Sequence, residues 1–258
     1  NVMTSLVMAF TLGLGIANLN TQSLKDMFGE FRDIITKTIQ VVVLPLLPIY
    51  IFGIFFNMTH SGEVFKVLTM FVKIIGVIFV MHIFLLLFQY AIAGIFAKKN
   101  PLRLLSRMMP AYFTALGTQS SAATIPVTLR QTILNGVNKD IAGFVIPLCA
   151  TIHLSGSTMK IVACAIALMM MQGIGYDFQS IAGFIFMLGI TMVAAPGVPG
   201  GAIMAALGIL SSMLGFDDKS LALMIALYIA MDSFGTACNV TGDGALALII
   251  DKFFGKKE

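Results

Sequence analysis

The chain has no tryptophan, three histidines and three cysteines in 258 residues, and only 11% of its residues are charged. Each shortage excludes something. Cys149, Cys164 and Cys238 lie in apolar runs without CxxC or Cys/His spacing, so neither a disulfide framework nor a zinc site is supported. No nucleic-acid motif appears, and the net charge of +4 is small. A soluble domain carries roughly 25% charge. With 58% hydrophobic residues, this chain reads as an all-α integral membrane protein of several spans. No basic n-region of a signal peptide precedes the first apolar run, which follows Asn1 directly. The expectation is a longer protein whose N-terminal part is missing here, and a fragment that does not transport by itself.

The few charges mark the loops. Lys98, Lys99, Arg103 and Arg107 form the densest basic cluster, and Lys252, Lys256 and Lys257 follow the last apolar run. By the positive-inside rule both ends are cytoplasmic, and Asp217-Asp218-Lys219 lies outside. Residues 1–63 contain a short apolar run (Val2–Ala17), an amphipathic stretch with Lys25, Arg32 and Lys37, and a span at Ile39–Phe56 kinked by Pro45 and Pro48. Asn57–Glu63 is a polar loop. A long helix over 64–97 is interrupted by Lys73 and His82, both read as structural.

Residues 102–136 do not read as one span. Small polar residues and Pro126 divide the segment at Gly117–Pro126, predicting a hairpin that enters and leaves on one side. The segment 140–172 is a span broken at His153-Leu154-Ser155-Gly156-Ser157. The segment 178–214 is a second hairpin, interrupted at Ala194–Gly201 by two prolines and three glycines. The segment 220–254 is a second broken span. Hairpin, broken helix, hairpin, broken helix is an internal repeat of inverted topology, the pattern of a secondary transporter with its site between the halves.

Two carboxylates stand in the middle of the last span. Each costs roughly 2.5–3.5 kcal/mol at the bilayer centre, so such groups face a cavity or the bundle interior. At about 100° per residue, Asp232, Asn239 and Asp243 share one helix face with Thr236 close by. Gly235 and Gly242 suggest a partly unwound helix that offers oxygens to a cation.

Several motifs in order resemble those of the dicarboxylate/amino acid:cation symporters, the glutamate transporter family. They are Thr124–Thr128 (TIPVT), Pro147–Ile152 (PLCATI), Gly197-Val198-Pro199-Gly200, and Asn239–Asp243 (NVTGD). The resemblance covers essentially the whole chain. It implies an elevator transporter working as a homotrimer in the cell membrane, with 1–63 belonging to the scaffold and 64–258 to the moving core. Asp232 would take a substrate α-amine, and Asn239, Ser120 and Ser121 its carboxylate. Thr151, Gly235 and Thr236 would complete the substrate site, with Gly197, Val198, Pro199 and Gly200 as the gate. Asp243, Asn239, and main-chain carbonyls near Cys149 and His153 would bind sodium as the coupling ion, or a proton would replace it. No enzymatic cofactor is implied.

The departures refine the substrate. Acidic-substrate members carry Arg where Gly235 stands, and Gln119 replaces a hairpin Arg of some relatives. An unpaired carboxylate in a closed site is costly, so a neutral amino acid is expected ahead of an acidic one or a C4-dicarboxylate. The family's NMDGT motif reads His153–Ser157 (HLSGS) here, and Lys160 follows inside the same span; either Lys160 or protonated His153 supplies charge that a sodium supplies elsewhere, or Lys160 snorkels along the helix. An aspartyl-protease dyad needs its carboxylates about 3 Å apart, whereas Asp232 and Asp243 would lie roughly 16 Å apart along a helix. Ser155 and His153 lack a third member and an oxyanion motif. A channel lined by the hairpin tips is the remaining alternative.

Overall fold

A computed structural model describes residues 2–19, 22–60, 62, 64–195 and 197–255. Ser61, Glu63, Pro196, Lys256 and Lys257, which figure in the sequence reading, lie outside the described residues. Thirteen α-helices and no strand occur among the described residues. In chain order they are α1 (Val2–Leu19), α2 (Gln22–Thr38), α3 (Leu44–His60), α4 (Val64–Ala97), α5 (Pro101–Arg107), α6 (Met109–Thr118), α7 (Ser121–Leu134), α8 (Lys139–Ile152), α9 (Ser155–Gln172), α10 (Phe178–Met192), α11 (Gly201–Leu214), α12 (Asp218–Ala230) and α13 (Asp232–Phe254). A π-helical turn, Ile39–Val43, links α2 to α3. Among the described residues, two spans are long and apolar enough to cross a membrane, Val64–Ala97 and Lys139–Gln172, or up to four if each bent pair counts as one. One bent pair turns by 50° between Gln22–Val43 and Pro48–His60, where Pro45 and Pro48 remove backbone donors.

Helix α13 is the axis of the molecule. Residues Gly235–Ala245 are buried without exception, and α4, α6, α7, α8 and α9 all pack against them. One apolar core joins α4, α9, α10, α11 and α12. A second joins α4, α6, α8 and α13. Between α4 and α9 runs a wide groove lined by Met70, Ile74, Val77, Met159, Val162 and Ile166, with Lys66 and Lys73 at its α4 edge. His82 is buried and sets its ring edge-on to Tyr112, with 5.7 Å between centroids. Its Nε2 has no hydrogen-bond partner among the described residues.

The sequence reading is corrected in the fold at two points. Residues 57–60, read as loop, are the last turn of α3. Residues Asp232–Asp243 are not unwound; the helix is continuous from Asp232 to Phe254. The break lies one residue earlier, at Met231, where α12 and α13 meet at 62°. Gly235 and Gly242 serve close approach instead of backbone freedom. A Cβ at Gly235 would lie 2.9 Å from Lys160 Nζ, and one at Gly242 2.7 Å from Gln89 Oε1 and His153 Cε1.

Helix α12 starts from a side-chain cap. Asp217 accepts from the Ser220 hydroxyl at 2.6 Å and the Ser220 N–H at 2.8 Å. These bonds hold its carboxyl below the usual carboxylate range. A lowered folded-state value gives stability that is present above the unfolded value and lost as pH falls through the folded one. Asp217→Ala therefore costs about 1 kcal/mol at neutral pH. The deficit in a thermal-stability assay shrinks below about pH 4, where the free carboxyl is protonated.

Candidate functional site

At the break, Tyr228 O accepts the Met231 N–H at 3.1 Å and Met231 O accepts the Gly235 N–H at 3.2 Å. Lys160, arriving from α9, is a second donor to both: its Nζ reaches Met231 O at 3.1 Å and Tyr228 O at 3.3 Å. The ammonium stands 3.5 Å from the centre of the Tyr228 ring and 3.6 Å from Asp232 Oδ1. Lys160 is 1% exposed and Asp232 3%. A cation at a helix C-terminus, over an aromatic face and beside a carboxylate, is matched on every side. Gly235 makes this seat possible, since any side chain there would meet the ammonium.

Asp232 presents its other oxygen to a different element. Oδ2 accepts the Gly200 N–H at 2.6 Å. Gly200 has φ +71° and begins α11, so the turn before α11 reaches the carboxylate through its backbone. The turn between α6 and α7 meets it there. Gln119 adopts φ +53°, and Ser120 caps α7 by accepting from Ala123 N. The Ser120 hydroxyl also donates to Gly197 O at 2.9 Å. The two turns are thus tied to each other and to Asp232. Beneath them lies a cavity of about 20 Å³, lined by Ser121, Ser157, Val198, Tyr228, Asp232 and Asn239 among others. That is room for about one water molecule.

Asn239 has a structural task as well. Its Oδ1 accepts from Gly156 N at 2.8 Å and Ser157 N at 3.2 Å, and its Nδ2 donates to the Ser157 hydroxyl at 2.9 Å. The residue at the N-cap of α9, Leu154, supplies no side-chain cap. Asn239 therefore caps α9 from another helix and holds the break after α8 open. Tyr228 completes the group by donating its hydroxyl to Ser157 Oγ at 3.1 Å.

One turn further along α13, Asp243 is 1% exposed and its Oδ1 lies 2.8 Å from His153 Nδ1. Gln89 Nε2 lies 3.5 Å from the opposite ring nitrogen and donates to Ser155 Oγ at 3.2 Å. The Tyr90 hydroxyl donates to Thr241 O at 2.7 Å. Two buried oxygens of this region, Gln89 Oε1 and Thr241 Oγ1, have no partner among the described residues.

Most of the residues singled out in the sequence converge. Ser120, Gly197 and Gly200 meet above Asp232, while Ser121, Val198, Thr236 and Asn239 line the cavity. Gly235 lies against Lys160, and Pro199 is half-buried in the same turn as Gly200. Thr151 does not join them: its side chain is exposed and its hydroxyl turns back to Leu148 O. Cys149 is buried, and its carbonyl accepts the His153 N–H at 2.8 Å. Sequence reasoning missed Tyr228, Ser157 as a hydrogen-bonding hub, and Gln89. The Gln89-Tyr90 pair, polar in the middle of a long apolar run, was the available signal.

Residues 1–253 match the family model described as the sodium:dicarboxylate symporter family. The chain is 29% identical over 248 residues to excitatory amino acid transporter 2 of Homo sapiens, covering 94% of this chain and 42% of that protein. It is 30% identical over 268 residues to excitatory amino acid transporter 3 of Oryctolagus cuniculus, covering 100% of this chain and 49% of that one. Over 160 residues it is 30% identical to neutral amino acid transporter B(0) of Mus musculus, covering 62% and 29%. The chain spans half or less of the length of these relatives, all of them transporters and none an enzyme by name.

Proposed function

Since the chain belongs to the sodium:dicarboxylate symporter family, we propose that it carries the substrate site of a secondary active symporter for an amino acid with an uncharged side chain. The observation behind this is the cavity under the two turns. Among the described residues that line it, Asp232 is the one charged side chain and none is a cation. A carboxylate suits an α-ammonium, and nothing there would pair with a second carboxylate. The substrate's own carboxylate would meet Ser121 and the N–H groups that open α7, where the helix dipole favours an anion.

The transport cycle follows from the same contacts. With about 20 Å³ available, the described state is closed, so the turn at Gly197–Gly200 must withdraw before an amino acid enters. The entering ammonium then replaces the Gly200 N–H at Asp232 Oδ2. Helices α6, α7, α10 and α11 have 10 to 15 residues each. At 1.5 Å per residue that is roughly 15–22 Å, short of the about 30 Å of a bilayer core. Their pairing into re-entrant hairpins from opposite sides, moving as one elevator core in a trimer of the cell membrane with a cytoplasmic C-terminus, fits those lengths. Sodium is the proposed co-substrate, held by Asp243 with main-chain oxygens near Cys149 and Asn239. The Cys149 carbonyl keeps a second lone pair after its bond to His153.

One observation favours an acidic substrate instead. Lys160 Nζ stands where a side chain at 235 would begin, so α9 supplies a cation at the place where acidic-substrate relatives would carry Arg. Its donors and ring contact are already matched, which favours the neutral reading. Uptake into liposomes of radiolabelled L-serine, L-alanine, L-threonine and L-aspartate, with sodium and proton gradients imposed separately, decides. We expect sodium-driven uptake of at least one neutral amino acid. Strong aspartate uptake with none of the others overturns the reading, and currents far above carrier turnover would make the protein a channel.

A further inference from the structure

We propose that Lys160 is the resident counter-ion of Asp232, and that it allows the emptied site to close and return across the membrane without capturing a cation there. The inference rests on the reading that Asp232 receives the substrate's ammonium. The two oxygens of Asp232 have different surroundings. Oδ1 faces Lys160 at 3.6 Å, and Lys160 is not among the residues that line the cavity. Oδ2 carries the Gly200 N–H, from the turn whose Gly197 and Val198 line the cavity. Substrate therefore exchanges with Gly200 at Oδ2, while Lys160 keeps its place at Oδ1 throughout.

Lys160 is built into that place. Met231 O and Tyr228 O accept from it, the Tyr228 ring covers it, and Gly235 leaves space for it. Three separate elements contribute to the arrangement: the ammonium comes from α9, its carbonyls from the end of α12, and the carboxylate from the start of α13. Closing Gly200 over a bare carboxylate in an apolar interior is costly unless a positive charge is near. A substrate ammonium supplies it when the site is loaded. When the site is empty, Lys160 is the one cation within ion-pair distance of Asp232 among the described residues. Loaded and empty sites are then both closable, as net uptake requires. Exchange of internal for external substrate needs only the loaded form.

The test compares net uptake with exchange in the protein reconstituted into liposomes, using whichever of L-serine, L-alanine and L-threonine is taken up fastest. Lys160→Met is expected to lower the ratio of net uptake to exchange at least tenfold. Gly235→Ala, which retains the lysine but pushes its ammonium off its seat, should lower the ratio in the same direction by a smaller factor. An unchanged ratio in Lys160→Met overturns the proposal. So does loss of both activities in a variant that elutes and melts like the wild type, because Lys160 would then act in binding. If Lys160→Met does not fold, Gly235→Ala decides, and equal loss of the two activities overturns the proposal. Absence of any exchange in the wild type would instead remove the transport reading on which this one stands.

Discussion

Asp232→Asn is expected to reduce amino-acid uptake by at least about 100-fold, equivalent to roughly 2.8 kcal/mol of lost interaction. The isosteric amide keeps the shape and can still accept from Gly200, but it offers no charge to an ammonium. Truncating one partner of a buried charged pair costs about 2–5 kcal/mol, so the figure lies at the conservative end. The same change strands Lys160, which is 1% exposed and has no other carboxylate within ion-pair distance among the described residues. Stability should therefore fall together with activity, since an uncompensated buried charge costs about 3–5 kcal/mol. Adding Lys160→Met to Asp232→Asn removes the stranded charge. The double variant should regain thermal stability and remain inactive. Uptake by Asp232→Asn within threefold of wild type would show that the carboxylate does not hold the substrate.

Gly156→Ala should be the most damaging of the glycine substitutions in the site. Its Cβ would lie 2.5 Å from Cys238 Cβ and 2.8 Å from Gly235 O, both rigid parts of α13. The helices must separate to admit it, at a cost of about 3 kcal/mol. That separation also pulls Asn239 from the Gly156 N–H it accepts, and Lys160 from Asp232. Gly242→Ala meets Gln89 Oε1 and His153 Cε1 at 2.7 Å, but these are side-chain atoms and not backbone. Its cost is expected near 1 kcal/mol, enough to disturb the contact between His153 and Asp243. Thermal unfolding followed by size-exclusion retention should rank the two variants in that order. A Gly156→Ala protein that melts with the wild type would mean that α9 and α13 are not packed as described.

The residues of this site were legible in the sequence because of where they stand. Carboxylates and an amide at Asp232, Asn239 and Asp243 are too costly in an apolar span to be incidental, and the interruptions at Gly117–Pro126 and Ala194–Gly201 are too polar or too rich in Gly and Pro to continue a helix. Their partners were not legible. Periodicity places Asp232 and Asn239 on one face, but nothing in it says that Asn239 caps a different helix. Gly235 and Gly242 were read as loosening the backbone, because a glycine in a helix looks the same in sequence whether it serves flexibility or close approach. The difference rests on Lys160, His153 and Gln89, which come from other elements. The missing arginine at 235 was read as a missing charge, and a lysine 75 positions away fills that space. Thr151 fell outside the cluster because its hydroxyl bonds its own helix, a local choice open to any helical threonine.

The central claim is that an amino acid's ammonium takes the place of Gly200 at Asp232, and a structure determined with sodium and a saturating neutral amino acid measures it directly. The account predicts ligand nitrogen within about 3 Å of an Asp232 oxygen, Gly200 withdrawn from Oδ2, and Lys160 still beside Oδ1. Ligand bound elsewhere, such as in the groove between α4 and α9, with the contact between Gly200 and Asp232 unbroken, would contradict it.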